Sequence, residues 1–241
     1  MKKRINPFYV LYEIFVFFPL FLITTTITAI STIIISAILG DVKGGYYPAR
    51  WWSKITCLTA LIRVEIIGEE HLNEKQSYVF IANHQSIFDI FLIYGWLRSK
   101  FKWVMKKEIK KIPLVGKACE YAGHIFIDRS NSRSAVRSIE TAGKRLINGS
   151  SVVIFPEGTR TNDGEIGKFR RGAFLLASDL NLPLVPITIK GAYEALPRNS
   201  AIIRPGKITM IIHQPIDTKS YNHDNIKNLI NYTHEIIKKD L

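Results

Sequence analysis

Two short segments combine residue types suited to proton transfer and to anion binding. Asn83-His84-Gln85-Ser86-Ile87-Phe88-Asp89 holds an imidazole and a carboxylate five positions apart. On an ideal helix that spacing turns the two side chains about 140° apart, a poor pairing. Ser86 suits a helix N-cap, which leaves His84 on the incoming loop and Asp89 in the first turn. The imidazole can then fold back onto the carboxylate. Asp89 would fix the tautomer and stabilise the imidazolium, leaving the other ring nitrogen as a base. No nucleophilic side chain is needed where the substrate brings its own hydroxyl. The same residues also fit a capping box, in which Asp89 merely closes a helix terminus and His84 is a surface residue.

The second segment, Phe155-Pro156-Glu157-Gly158-Thr159-Arg160, follows the apolar run Val152-Val153-Ile154. Its Pro-x-Gly order forces a tight turn. Gly158 permits close backbone approach, and Arg160 offers a planar fork suited to phosphate. The alternative is an ordinary strand-to-loop turn with a solvated arginine. Between the two segments, Arg98 to Lys117 carries eight basic residues against Glu108 alone, interleaved with Phe101, Trp103, Ile109, Ile112 and Leu114. Such a mixture suits an anionic lipid surface. Lys106 closes an expected strand in this run, so it either reaches an anionic ligand at the sheet edge or is one solvated lysine among many.

The elements that must position these residues alternate. Strands are expected at Val64–Ile67, Tyr78–Ala82, Lys102–Met105, His124–Ile127, Val152–Phe155, Leu184–Ile189 and Ile208–His213. Helices are expected at Ile87–Leu97, Ser132–Ile147, Arg170–Leu180 and Asn225–Lys239. This implies an α/β fold with a mainly parallel central sheet flanked by helices, and parallel sheets gather ligands at the carboxyl ends of their strands.

The 241 residues suit one domain with an appendage, and the net charge of +13 asks for an anionic partner. Two cysteines exclude a disulfide scaffold, and the six histidines show no metal-binding spacing. Gly164 to Phe169 lacks the spacing of a P-loop, and no GxSxG or GxGxxG motif is present. An apolar stretch runs from Ile5 to Leu39, with no charged residue from Ile14 onward. It exceeds the roughly 20 residues of a single span. Pro19 and Thr24-Thr25-Thr26 offer places to bend, and basic residues flank both ends. The expectation is therefore a membrane-embedded helical hairpin within residues 1–45, followed by the α/β domain over 46–241, with Gly44-Gly45 as a turn between them. The alternative is a single tilted span. A nucleic-acid partner is not expected from a chain with this anchor.

The two motifs, in this order, resemble the glycerolipid acyltransferase family. Gly123-His124-Ile125-Phe126-Ile127-Asp128-Arg129 and Leu184-Val185-Pro186-Ile187-Thr188-Ile189-Lys190-Gly191 match two weaker family blocks, so the resemblance covers about Tyr78 to Gly191. His124 stands where many members carry a small apolar residue. The resemblance implies that His84 is the general base and Asp89 its partner, with direct attack of an acceptor hydroxyl on an acyl thioester. It places Glu157, Gly158, Thr159 and Arg160 at the acceptor site, with Lys106 and Arg129 as further phosphate partners. It implies no metal or cofactor, acyl-CoA or acyl carrier protein as co-substrate, and acylation of the 2-hydroxyl of lysophosphatidic acid to phosphatidic acid. The implied location is the cytoplasmic face of the bacterial inner membrane. The competing readings are another acceptor, such as glycerol 3-phosphate or a lyso-phospholipid, and a catalytically silent lipid-binding protein.

Overall fold

The computed structural model describes residues 7–128 and 150–241. The expected helix Ser132–Ile147 and the candidate Arg129 lie outside them. Seven strands form one sheet: β1 (Ile62–Ile67), β2 (Val79–Ala82), β3 (Phe101–Lys106), β4 (Ile125–Ile127), β5 (Ser151–Ile154), β6 (Leu184–Lys190) and β7 (Gly206–Ile212). Their order is β1-β7-β6-β2-β5-β3-β4. The β6–β7 pair is antiparallel and all other pairs are parallel. Every expected strand is present to within two residues at each end. The runs of β2, β5 and β6 are legible because both sheet faces are covered there, so these strands are almost continuously apolar. In β2, Phe80 and Ala82 enter one core cluster, whereas Val79 and Ile81 enter the other.

The helices are α1 (Pro7–Tyr12), α2 (Phe18–Leu39), α3 (Asp41–Thr59), α4 (Phe88–Trp96), α5 (Val115–Tyr121), α6 (Gly172–Asp179), α7 (Ala192–Ala195) and α8 (Ile226–Lys239). Aromatic residues of α4 pack into the first cluster with Tyr78 and Phe80. Phe174 and Leu176 of α6 and Leu229 and Ile237 of α8 fill the second. The α8 residues recur at helical spacing, which is why that helix reads clearly from the sequence.

The hairpin expected within residues 1–45 is not confirmed among the described residues. Pro7 to Leu39 is one helical run of 33 residues, with a π-helical turn at Glu13–Phe17. Pro19 lies inside this run without ending it, directly after the π-helical turn at Glu13–Phe17. Thr24, Thr25 and Thr26 do not break the helix either, since their hydroxyls donate to the carbonyls of Leu20, Phe21 and Leu22. The chain reverses instead at Gly40, with φ 86°, and returns as α3. Trp52 Nε1 donates to Thr25 Oγ1 at 3.0 Å, while Tyr12 and Tyr9 donate to the carbonyls of Thr59 and Ala60.

Gly44 and Gly45 are therefore interior to α3, and α3 crosses position 45 unbroken. Their role is close approach: a Cβ on Gly44 would lie 2.1 Å from Ser36 Oγ. Opposite α3, α2 leaves Leu22, Ile23, Ile27, Ile34 and Ile38 exposed. By length and composition this run is apolar enough to cross a membrane, and its face away from α3 is uncovered. Glu13, the one acid in the run, is buried and accepts the Ile203 N–H at 3.0 Å, fastening the helix to the α/β domain.

Candidate active site

Strand register alone brings the two motifs together. In the β2–β5 pair Ile81 stands beside Ile154, so the residues that follow leave the sheet side by side. The His84 ring stacks on Phe155 at 4.0 Å between centroids, and Phe155 stacks on Trp103 of β3 at 5.3 Å. Lys106 ends β3 at the same edge, beside Ile127 of β4.

His84 Nδ1 lies 2.8 Å from Asp89 Oδ2. A carboxylate oxygen accepts, so Nδ1 carries the proton and Nε2 remains as the base. The same Oδ2 accepts the N–H groups of Gln85 at 2.7 Å and Ser86 at 2.8 Å. Asp89 is fully buried at the start of α4. Loop closure and imidazole orientation, posed as alternatives by the sequence, are thus performed by one oxygen. The helix is assigned from Phe88, and Ser86 Oγ accepts the Phe88 N–H at 3.3 Å as an N-cap does, while also donating to the Leu196 carbonyl.

Gly158 has φ 79°, the left-handed turn expected of it, with the Arg170 side chain close by. Thr159 is exposed, whereas Glu157 is buried. Glu157 Oε1 accepts the His84 N–H at 2.7 Å, and Oε2 accepts the Gly167 N–H at 2.9 Å. Burial, assisted by Asp89 and Asp163, pushes Glu157 up to about 7 against these two donors. Gly167, Thr161 and Gln85 were not expected in the site. Thr161 N–H donates to the His84 carbonyl at 3.1 Å, and the Gln85 amide reaches the Gly164 carbonyl. Side-chain type gives no signal for a residue that acts through its backbone.

His84, Lys106 and Arg160 line one cavity of about 550 Å³, a volume ordinary for small-molecule sites. Its other walls are mostly apolar: Ala29 and Thr32 of α2, Ala49 and Trp52 of α3, Ile90 of α4, and Ala118 of α5. It therefore joins the imidazole to the α2–α3 helix pair. Neither Lys106 nor the Arg160 guanidinium makes an ion pair among the described residues. The rest of the basic run is largely spent on partners. Arg98 pairs with Glu69, Lys102 with Asp41, Lys107 with Asp128, and Lys110 with Glu120.

His124 also lines the cavity, buried, with Nε2 at 2.6 Å from the Tyr94 hydroxyl and Nδ1 accepting Trp103 N–H at 3.3 Å. Burial and the neighbouring Lys102 ammonium push its pKa down to about 3. The folded protein thus holds it neutral while the unfolded chain protonates it below about 6.5. Stability from this residue is complete above that pH and declines as pH falls toward 3, by about 2 kcal/mol at pH 5. Thermal melts from pH 7 to pH 5 are expected to drop more steeply for wild type than for His124→Gln; parallel slopes would contradict this.

The acyltransferase family model matches residues 63–190. The chain is 35% identical to the chloroplastic 1-acyl-sn-glycerol-3-phosphate acyltransferase of Arabidopsis thaliana, over 72% of this chain and 49% of that protein. It is 32% identical to the human 1-acyl-sn-glycerol-3-phosphate acyltransferase alpha, over 68% of this chain and 59% of that protein. The matched region thus spans about half the length of these relatives. The crystal structure of the 1-acyl-sn-glycerophosphate acyltransferase PlsC from Thermotoga maritima superposes with a TM-score of 0.71 at 26% identity, covering 91% of this chain and 95% of that one. With its motifs at adjacent strand ends and its sequence matched over more than half its length, this chain belongs to the acyltransferase family.

Proposed function

We propose that the protein transfers a fatty acyl chain from an acyl thioester to the 2-hydroxyl of lysophosphatidic acid, giving phosphatidic acid. The observation that carries this reading is one cavity lined by the His84 imidazole, which Asp89 holds from behind, by two cations that make no ion pair among the described residues, and by apolar side chains of α2, α3 and α4. His84 Nε2 takes the hydroxyl proton as the oxygen bonds to the thioester carbonyl carbon. The tetrahedral intermediate collapses with cleavage of the C–S bond, and the imidazolium returns the proton to the departing thiolate. Asp89 holds the positive charge that His84 carries between these steps. A thioester is already activated, so base catalysis worth about 10²–10⁴ together with positioning meets the demand.

Arg160 and Lys106 hold the acceptor phosphate, with Arg129 as a third cation. Gly158 and Thr159 shape the turn against the glycerol phosphate, and the acyl chain lies in the apolar part of the cavity. This chemistry asks for no metal or cofactor: the proton goes to an imidazole and the phosphate charge to a guanidinium and an ammonium. Acyl-CoA and acyl carrier protein are both anionic donors suited to a chain of net charge +13. The apolar helix and its basic flanks seat the enzyme at a bilayer, on the cytoplasmic face of the inner membrane of a bacterium.

Purified full-length protein in lipid, given a labelled thioester and a panel of acceptors, tests the assignment. The expected product is phosphatidic acid from lysophosphatidic acid. Preferential acylation of glycerol 3-phosphate or a neutral lysolipid would reassign the acceptor, and binding without product would make the protein a silent lipid binder. Arg160→Ala is expected to raise the acceptor KM about tenfold or more while leaving the donor KM unchanged, as loss of a charge-assisted contact does. An unchanged acceptor KM would remove Arg160 from the phosphate site.

A further inference from the structure

We propose that Glu157 is a positioning residue, a carboxylate bridge that fixes the His84 peptide to the 164–170 loop and does not touch the acceptor. This rests on the acyl-transfer reading above and departs from the acceptor-site role that the family resemblance implies for this residue.

The bridge answers a local backbone problem. Past Ile81 and Ile154 the β2–β5 ladder ends, because β5 turns away through Pro156 and Gly158. The His84 N–H, just beyond the strand, then has no neighbouring strand carbonyl in a half-buried position, where an unmade hydrogen bond is costly. Glu157 Oε1 supplies the acceptor at 2.7 Å, and Thr161 N–H caps the carbonyl of the same residue at 3.1 Å. The backbone unit carrying the imidazole is therefore held on both sides by the 157–161 turn. The second carboxylate oxygen is equally committed, to Gly167 N–H at 2.9 Å.

Glu157 is 8% exposed and does not line the cavity, although Phe155 and Arg160 on either side of it do. Each oxygen holds a backbone donor behind the imidazole and the residue lies outside the cavity lining, so the carboxylate does not face a glycerol hydroxyl in the cavity. The charged groups around it are Asp89 on α4 and Asp163 on the loop, which oppose its ionisation, with Arg170 against Gly158 and the His84 imidazole beyond Asp89. Because its pKa lies near 7, acid converts one accepting oxygen into a hydroxyl and weakens the bridge. Protonation of Glu157 then contributes to the acid limb of activity.

Misplacing a catalytic group by about 1 Å costs on the order of 10²-fold. Glu157→Gln keeps the volume but presents an NH₂ to one of two N–H donors. It is expected to lower kcat about 10- to 100-fold with both KM values within about twofold, and to remove one protonation from the acid limb of the kcat profile. Gly167→Ala attacks the bridge from its other end without changing a charge, since its Cβ would lie 2.8 Å from Glu157 Oε2. The same kcat loss is expected there, and the double variant should be no worse than the more impaired single one, because both cut one connection. Should Glu157→Gln fail to fold, Gly167→Ala decides alone. A raised acceptor KM with normal kcat in Glu157→Gln, or a normal kcat and pH profile in folded Gly167→Ala, would overturn the proposal. Wild-type protein that acylates no lysophosphatidic acid would instead sink the underlying reading, independently of Glu157.

Discussion

His84→Ala is expected to lower kcat by at least about 10²–10⁴-fold, the worth of a positioned general base, with little change in thermal stability. The imidazole is half-buried at the cavity, so removing it widens an existing space and seals no new void. What is lost structurally is the stack on Phe155, worth about 1 kcal/mol, and one of three hydrogen bonds to Asp89. Binding of both substrates should survive, since the phosphate cations and the apolar walls are untouched. Turnover within a few-fold of wild type would remove His84 from the chemistry.

Asp89 is expected to separate catalysis from folding by the choice of substitution. Asp89→Asn keeps an oxygen able to accept from the backbone, yet a neutral amide cannot hold the imidazolium, so kcat should fall about 10²–10⁴-fold. Its new NH₂ would take the place of Oδ1, which is buried without a hydrogen-bond partner among the described residues, so some loss of stability accompanies the change. Asp89→Ala is different in kind. It strands the N–H groups of Gln85 and Ser86 in a buried loop, at about 1–3 kcal/mol each. The alanine variant should therefore melt well below the asparagine variant while both are nearly inactive. Equal stability of the two would show that the loop does not depend on this carboxylate.

The central strands were legible because burial on both faces writes β2, β5 and β6 as apolar runs, and because His84 and Glu157 each follow such a run directly. Adjacency of the two motifs was not legible. It comes from β2 pairing with β5 over a separation of more than seventy residues, with β3 and β4 folded outside them. Helix α3 was hidden for a different reason. Gly44, Gly45 and Pro48 are poor helix formers, and the packing of α3 against Ser36, Thr25 and Phe21 overrides their local preference. Pro19 and the three threonines misled in the opposite sense, since the helix continues through the first beside a π-helical turn and the others satisfy themselves within the helix. The dense basic run gave the charges but not their partners, which Glu69, Asp41, Asp128 and Glu120 bring from elsewhere in the chain.

Direct transfer is the claim on which this account turns, and one measurement reaches it. Purified protein is incubated with acyl-labelled thioester, first alone and then with lysophosphatidic acid, and intact-protein mass and lipid products are read from each sample. Direct attack by the acceptor predicts unmodified protein in the first sample and label at the 2-position of phosphatidic acid in the second. A stoichiometric acyl adduct on the protein without acceptor, chased into lipid when acceptor is added, would contradict it.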